Sequence, residues 1–301
     1  MVLSGYLPSR VKFVGVLNFR ARGPIHVGHS KEANVLYALK LPNGDLVVPA
    51  STWKGVLRSL AERLAPSLPM GEIERLAFES VGRAQAPEEA RRNVREKGLM
   101  DDFVKVLERK PQNRFDQRDV EEKLERLGYR KDEEGKWQIE DKEWALVQYL
   151  SLHCPVGRLF GNLTLASSLK FFDAVIRSGL QRRPGIGINR NTGTVQENVL
   201  YFVETGDAYA AVPLLLSGEV EPRGSAPARL LASVLEAVAE VGIGVGGRKS
   251  AGLGLLELES SEFHAFERGK DGDERGALMA NPFDAEKMGL REFVGWLRGE
   301  R

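Results

Sequence analysis

Residues 242–254 read Gly-Ile-Gly-Val-Gly-Gly-Arg-Lys-Ser-Ala-Gly-Leu-Gly, six glycines around one Arg-Lys-Ser tripeptide. So many glycines in thirteen positions exclude a helix or a regular strand. The segment must be a loop, and its flanks say what it joins. An apolar run with helical spacing precedes it, and an alternating, strand-like run over 253–258 follows. Without Cβ atoms, the backbone at Gly246 and Gly247 can come close to a phosphate chain and offer it N–H groups, with Arg248, Lys249 and Ser250 at the tip. Two familiar glycine motifs fail on context. The spacing of Gly242, Gly244 and Gly247 matches a dinucleotide fingerprint, but that motif needs a strand before it and a helix after it. A Walker A loop needs glycine directly before Lys-Ser, where Arg248 stands. The plain alternative is a hairpin end carrying two solvated charges.

Charge distribution favours a polyanionic partner. The net charge is only +1, yet residues 1–60 carry eight Lys/Arg against Glu32 and Asp45. Residues 257–301 lean the other way, with eleven acids against seven bases. Local basic segments matter more to a polyanion than total charge. The single cysteine, Cys154, excludes an internal disulfide framework and an all-cysteine zinc site. No apolar stretch approaches the ~18 residues of a membrane span, and no signal peptide is visible, so the expectation is a cytoplasmic protein with no membrane partner.

The hydrophobic pattern predicts a strand over 11–20, then a loop over 21–34 holding His26 and His29. A hairpin follows, 35–41 and 46–48 around the turn 42–45. Next comes a helix from Pro49-Ala50-Ser51-Thr52, with Ser51 as N-cap and Trp53, Leu57, Leu60 and Leu64 as its buried stripe. Residues 83–144 carry 16 Lys/Arg and 17 Asp/Glu with helical spacing, which reads as a charged helical satellite that packs on something else. Strands are expected over 166–176, 198–203 and 211–216, with an Arg- and Gly-rich stretch of little apolar content over 180–196. A helix over 228–241 leads into the glycine loop. The tail after His264 is polar and ends in a helix over 284–297. This order predicts an α+β, ferredoxin-like (RRM-like) core over 1–65 and 150–262, a helical insertion over 66–149 and an extension over 263–301. Such a core leaves one sheet face open, where RNA commonly binds.

The helix start is the second informative segment. Lys54 and Arg58 are four residues apart on the side away from Trp53 and Leu57, and Gly55 lies between them. A helix N-terminus with two such cations attracts phosphate. The plain alternative is a capped helix with two solvated cations, but a glycine there costs about 1 kcal/mol against alanine.

The Pro49-x-Ser51-x-x-Lys54-Gly55-x-x-Arg58 start, Leu159-Phe160-Gly161, residues 188–193 (Ile-Asn-Arg-Asn-Thr-Gly) and the late glycine loop occur together and in this order. The chain resembles the RAMP superfamily of CRISPR-associated proteins, and most of all the backbone subunit of type III effector complexes. The resemblance covers residues 10–65 and 150–260. It implies a ferredoxin-like core whose copies polymerise along a guide RNA. Its partners would be guide RNA, target single-stranded RNA, other subunits of the complex and copies of itself. By position, Ser51, Lys54 and Arg58 would contact the guide backbone, with His26, His29, Arg190, Gly246, Gly247, Arg248, Lys249 and Ser250 as further RNA-binding residues. Residues 182–201 would form or support a hairpin that wedges between bases of the guide–target duplex.

One departure bears on catalysis. The family's backbone subunit places an aspartate in the loop before the first hairpin, where it supports metal-dependent cleavage of target RNA. The matching residue here is Ala33, beside Glu32 and Asn34. No catalytic residue is therefore assigned, no cofactor is expected, and a divalent metal enters only where cleavage occurs. The cysteine pair common before Leu-Phe-Gly is Cys154 and Gly157 here, so no zinc is expected. Two other readings remain: a guide-processing endoribonuclease using His26 or His29 as general acid or base, and an assembly or capping subunit that does not touch RNA.

Overall fold

The computed structural model describes residues 11–111, 113–267 and 281–300. The polar tail expected after His264 falls largely on 268–280, outside the described residues. The strands are β1 (Val11–Ala21), β2 (Gly28–Glu32), β3 (Val35–Ala38), β4 (Leu46–Val48), β5 (Leu169–Phe171), β6 (Ala174–Ile176), β7 (Gln181–Ile188), β8 (Val195–Thr205), β9 (Ala211–Val220), β10 (Ile243–Gly244), β11 (Leu255–Glu267) and β12 (Lys287–Met288). The α-helices are α1 (Ala50–Leu64), α2 (Glu72–Ala77), α3 (Pro87–Glu96), α4 (Leu99–Leu107), α5 (Gln117–Arg126), α6 (Lys142–His153), α7 (Pro155–Phe160), α8 (Ala226–Val241) and α9 (Leu290–Arg298). The chain is a mixed α+β protein in two compact units. Of the described residues, one holds 60–169 and 219–231, and the other holds 11–59, 170–218, 232–267 and 281–300. No described helix is long and apolar enough to cross a membrane.

The second unit is built on a sheet of order β10-β11-β1-β9-β5, with β12 added beside β11. β1 and β11 pair antiparallel from Val11↔Glu267 to Ala21↔Leu256, with a bulge beside Asn18 and Phe19. The apolar alternation of β1 explains its place. Phe13, Leu17, Phe19 and Ala21 are buried and point to one face. Trp53 of α1 stacks on Phe19 with ring centroids 5.8 Å apart, and Phe293 of α9 stacks on Phe263 at 4.3 Å. Burial on this scale supplies about 1.5–3 kcal/mol per large apolar side chain. Two smaller sheets belong to the same unit, β2-β3-β8-β7 and β4-β6.

Several expectations change here. Part of the expected loop over 21–34 is the exposed strand β2. The expected hairpin around 42–45 is present, with Gly44 N donating to Leu41 O at 2.9 Å, Val47 N to Leu39 O at 3.0 Å and an antiparallel bridge Lys40↔Leu46; beyond it, β3 joins β2 and β8 while β4 joins β6. The single strand expected over 166–176 is broken into β5 and β6, in different sheets. Asp173, between them, accepts a hydrogen bond from Ala50 N at 2.7 Å. Helix α1 starts at Ala50, before the expected cap Ser51, and the N–H of its first residue is satisfied by this distant carboxylate. The stretch 180–196 is mostly strand. Its apolar residues are few because the hairpin it forms is exposed on both faces near its tip.

In the first unit, the segment over 83–144 has a buried interior of its own. Val94, Leu99, Phe103, Val106, Val120 and Leu124 are all fully buried. They gather around α6, which is buried along most of its length from Ala145 to Leu152. Phe115 meets Tyr149 edge-on at 5.7 Å. The Tyr149 hydroxyl donates to Asp119 Oδ2 at 2.8 Å, and His153 Nε2 lies 2.9 Å from the same oxygen. Burial opposes ionisation of Asp119. The close His153 ring, the hydrogen bond from Tyr149 and nearby Lys123 outweigh it and hold the carboxyl well below its usual range. His153 is thus a structural histidine. So is His264, whose ring lies between Ala285 O at 2.8 Å and Glu262 Oε1 at 3.0 Å.

Candidate nucleic-acid interface

Every candidate RNA-contacting residue lies in the second unit. The glycine loop leaves α8 at Gly242, whose φ of 72° and N–H bond to Val238 O end the helix. It is then tied down along its length. Val245 N donates to Gly254 O at 2.9 Å, Gly247 N to His26 O at 2.9 Å and Gly254 N to Pro24 O at 2.9 Å. Gly246 and Gly254 have φ of 78° and 75°. A Cβ on them would stand 2.2 Å from His26 O and 2.0 Å from Val245 O. Gly247 differs, because a Cβ there would be 3.5 Å from His26 Cδ2, an ordinary contact. Arg248 follows in the left-handed region at φ 57°, and Lys249–Ala251 make a single 3-10 turn at the tip, with Lys249 and Ser250 exposed.

His26 is the strut beneath this loop. It is 5% exposed, and its Nδ1 lies 2.8 Å from Glu204 O. A carbonyl can only accept, so Nδ1 carries the proton and the ring is fixed in one tautomer. His29 sits on exposed β2 without a hydrogen-bond partner among the described residues. The Glu204 side chain, buried in β8, is neutralised by Lys40 at 3.3 Å and Arg182 at 3.5 Å. Tyr201, on the same strand, receives Arg248. The guanidinium carbon is 4.4 Å from the ring centroid, and Nη1 donates to the hydroxyl at 2.8 Å. The structure therefore brings His26, Gly246, Gly247 and Arg248 together with β8. Tyr201 and Glu204 were missed in the sequence. A lone tyrosine and a lone glutamate carry no spacing signal, and their roles depend on strand register.

The helix cations form a separate group. Trp53, Leu57 and Ala61 are buried on one side of α1, and Ala61 takes the place expected of Leu60. Lys54 and Arg58 are half-buried and Ser51 is exposed. Burial, then the neighbouring Arg58 guanidinium, lowers the Lys54 pKa. Gly55 is exposed, and a Cβ there would meet nothing within 4 Å. Arg190 lies in the exposed turn between β7 and β8, where Gly193 N donates to Asn189 O at 2.8 Å. Among the described residues no hydrogen bond or ion pair joins Arg190 to the other candidates.

Ala33 and Asn34 form the two-residue turn between β2 and β3, and Ala33 takes a φ of 49°. Its methyl offers no metal donor, and the described residues contain no group of three His, Cys, Asp or Glu side chains placed to hold an ion.

A family model for the RAMP superfamily matches residues 18–257. No curated protein matches the chain. The matched span takes in the Lys54–Arg58 helix start, the β7–β8 hairpin and the whole glycine loop, and the chain belongs to the RAMP superfamily of CRISPR-associated proteins.

Proposed function

We propose that this chain is an RNA-binding backbone subunit of a type III CRISPR interference complex, holding guide RNA and engaging target RNA. One observation carries the reading. The glycine loop, the His26 segment and the β7–β8 hairpin are tied into one surface by the Gly247–His26, Gly254–Pro24 and Arg248–Tyr201 contacts. Lys54 and Arg58, flanking a glycine that internal packing does not require, supply the cationic track for the guide backbone. The ferredoxin-like core over 1–65 and 150–262 is part of the proposal. The strand order β11-β1-β9-β5, with α1 lying between β1 and β5 in the chain and α8 between β9 and β11, supports it. The helical insertion over 66–149 and the extension over 263–301 complete the proposed arrangement. The exposed Ile186, Ile188, Val195 and Leu200 suit a hairpin that inserts between bases. A guide-processing role has less support, because His26 is buried with Nδ1 committed to a carbonyl and no described residue orients His29.

The test is to purify the chain with its natural assembly and sequence the bound RNA. A guide protected at regular intervals is the expected result. A single processed end without periodic protection supports the processing enzyme, and absence of RNA supports a capping subunit.

Cleavage is a separate expectation. With alanine at residue 33, target RNA is bound and not cut, with or without magnesium. Gel assays at several magnesium concentrations check this. Robust cutting that disappears in Glu32→Ala would assign the role to Glu32 and refute the expectation.

A further inference from the structure

We infer that Arg248 and Tyr201 form a stacking platform for an unpaired nucleobase of bound single-stranded RNA, an inference that rests on the RNA-binding reading above. Several cations of this unit are matched to carboxylates: Arg20 to Glu259, Arg22 to Glu257, and Lys40 and Arg182 to Glu204. Arg248 has no such partner among the described residues. Its guanidinium lies over the Tyr201 ring, and one of its N–H groups is committed to the Tyr201 hydroxyl. The plane is held from both ends. On the loop side, Ala251 N donates to Arg248 O at 2.9 Å, and neighbouring Gly247 is bonded to His26. On the strand side, the Tyr201 ring lies across Gly185, the residue opposite it in β7, where a Cβ would come within 2.3 Å of the ring. Only glycine leaves that space.

The result is an exposed, planar cation held against an aromatic ring by its position over the ring and its bond to the hydroxyl. A phosphate asks for the edge of a guanidinium, and part of that edge is already taken. A base asks for its face, and bases stack on arginine planes as they do on aromatic rings. The ring beneath strengthens the arrangement, since a cation over an aromatic face is itself favourable.

The two modes separate by chemistry. Lysine keeps the charge and loses the plane. The experiment measures binding of a short oligouridylate, and of the same chain carrying abasic ribose, at several salt concentrations. If the platform exists, Arg248→Lys and Arg248→Ala weaken oligouridylate binding alike, roughly tenfold. The salt slope stays nearly unchanged, and the loss disappears on abasic RNA. Tyr201→Phe keeps most of the affinity, and Tyr201→Ala loses it. Melting temperatures of the variants are measured in parallel. Should Tyr201→Ala fold poorly, Arg248→Lys alone decides, because its backbone demand equals that of arginine. Normal binding by Arg248→Lys with a reduced salt slope in Arg248→Ala makes Arg248 a phosphate contact and overturns the platform. Normal binding by both variants, while Lys54→Ala with Arg58→Ala loses affinity, also overturns the platform and leaves the RNA-binding reading standing. Failure of the unaltered protein to bind either oligomer removes both.

Discussion

Replacing Lys54 and Arg58 together with alanine lowers affinity for single-stranded RNA roughly tenfold or more near physiological salt, and it flattens the salt dependence. Each phosphate neutralised on a single strand contributes about 0.7 to the slope of log affinity against log salt, so losing two contacts reduces the slope by about 1.4. The size of the effect follows from the site. Lys54 is half-buried beside Arg58, and its lowered pKa reflects burial, then that neighbouring charge. A phosphate beside the pair favours the charged ammonium. Filter binding across a salt series checks the expectation, and unchanged affinity and slope refute the site. A companion variant asks why Gly55 is there. Gly55→Ala places its methyl in open space, so it stabilises α1 by about 1 kcal/mol. If RNA passes close to residue 55, the same variant binds RNA more weakly while melting at a higher temperature.

Gly254→Val and Gly246→Val are expected to be the most damaging single substitutions in the loop, at about 3–5 kcal/mol each. Both residues have positive φ, and both would drive a Cβ into a backbone oxygen, Val245 O for one and His26 O for the other. Neither oxygen can move aside, because one belongs to the loop's own base and the other accepts the Gly247 hydrogen bond. A drop in melting temperature on the order of 10 °C, with or without RNA, is the expected reading. Gly247→Val behaves differently. Its backbone has no left-handed requirement and its Cβ would make an ordinary contact, so the protein keeps its melting temperature. A loss of RNA affinity confined to Gly247→Val identifies the point of closest approach. Unchanged binding there limits the loop to its structural role, and normal melting of Gly254→Val contradicts the described geometry.

Much of this was legible before any coordinates. Period-2 alternation located β1 to within a residue, and helical spacing ending at a glycine located α8 and its stop at Gly242. These are local signals: the chain needs only its own neighbours to express them. The pairing of Lys54 with Arg58 on one side of α1 was equally local, since residues four apart on a helix share a face. The glycine run marked the loop for the same reason, because a missing Cβ is visible in the letters.

What the letters do not carry is partnership across long separations. Glycine composition alone treats Gly246, Gly247 and Gly254 as equals. Only the approach of His26 O and the return to Val245 divide them into two that shape the backbone and one that leaves space. Ser51 looked like a cap, and Asp173, 123 residues from the helix start it serves, did the work. The expected strand over 166–176 broke because its two halves were claimed by different sheets. Arg248 was legible as a cation at the loop tip, but only strand register, which sets Tyr201 opposite Gly185, shows that its guanidinium meets that ring and hydroxyl. The sequence alone determined where helices, strands and sharp turns could form, since those follow from the φ/ψ and burial preferences of adjacent residues. The tertiary structure decided which oxygen, ring or carboxylate each side chain meets, because that choice depends on segments more than a hundred residues apart folding onto the same strand.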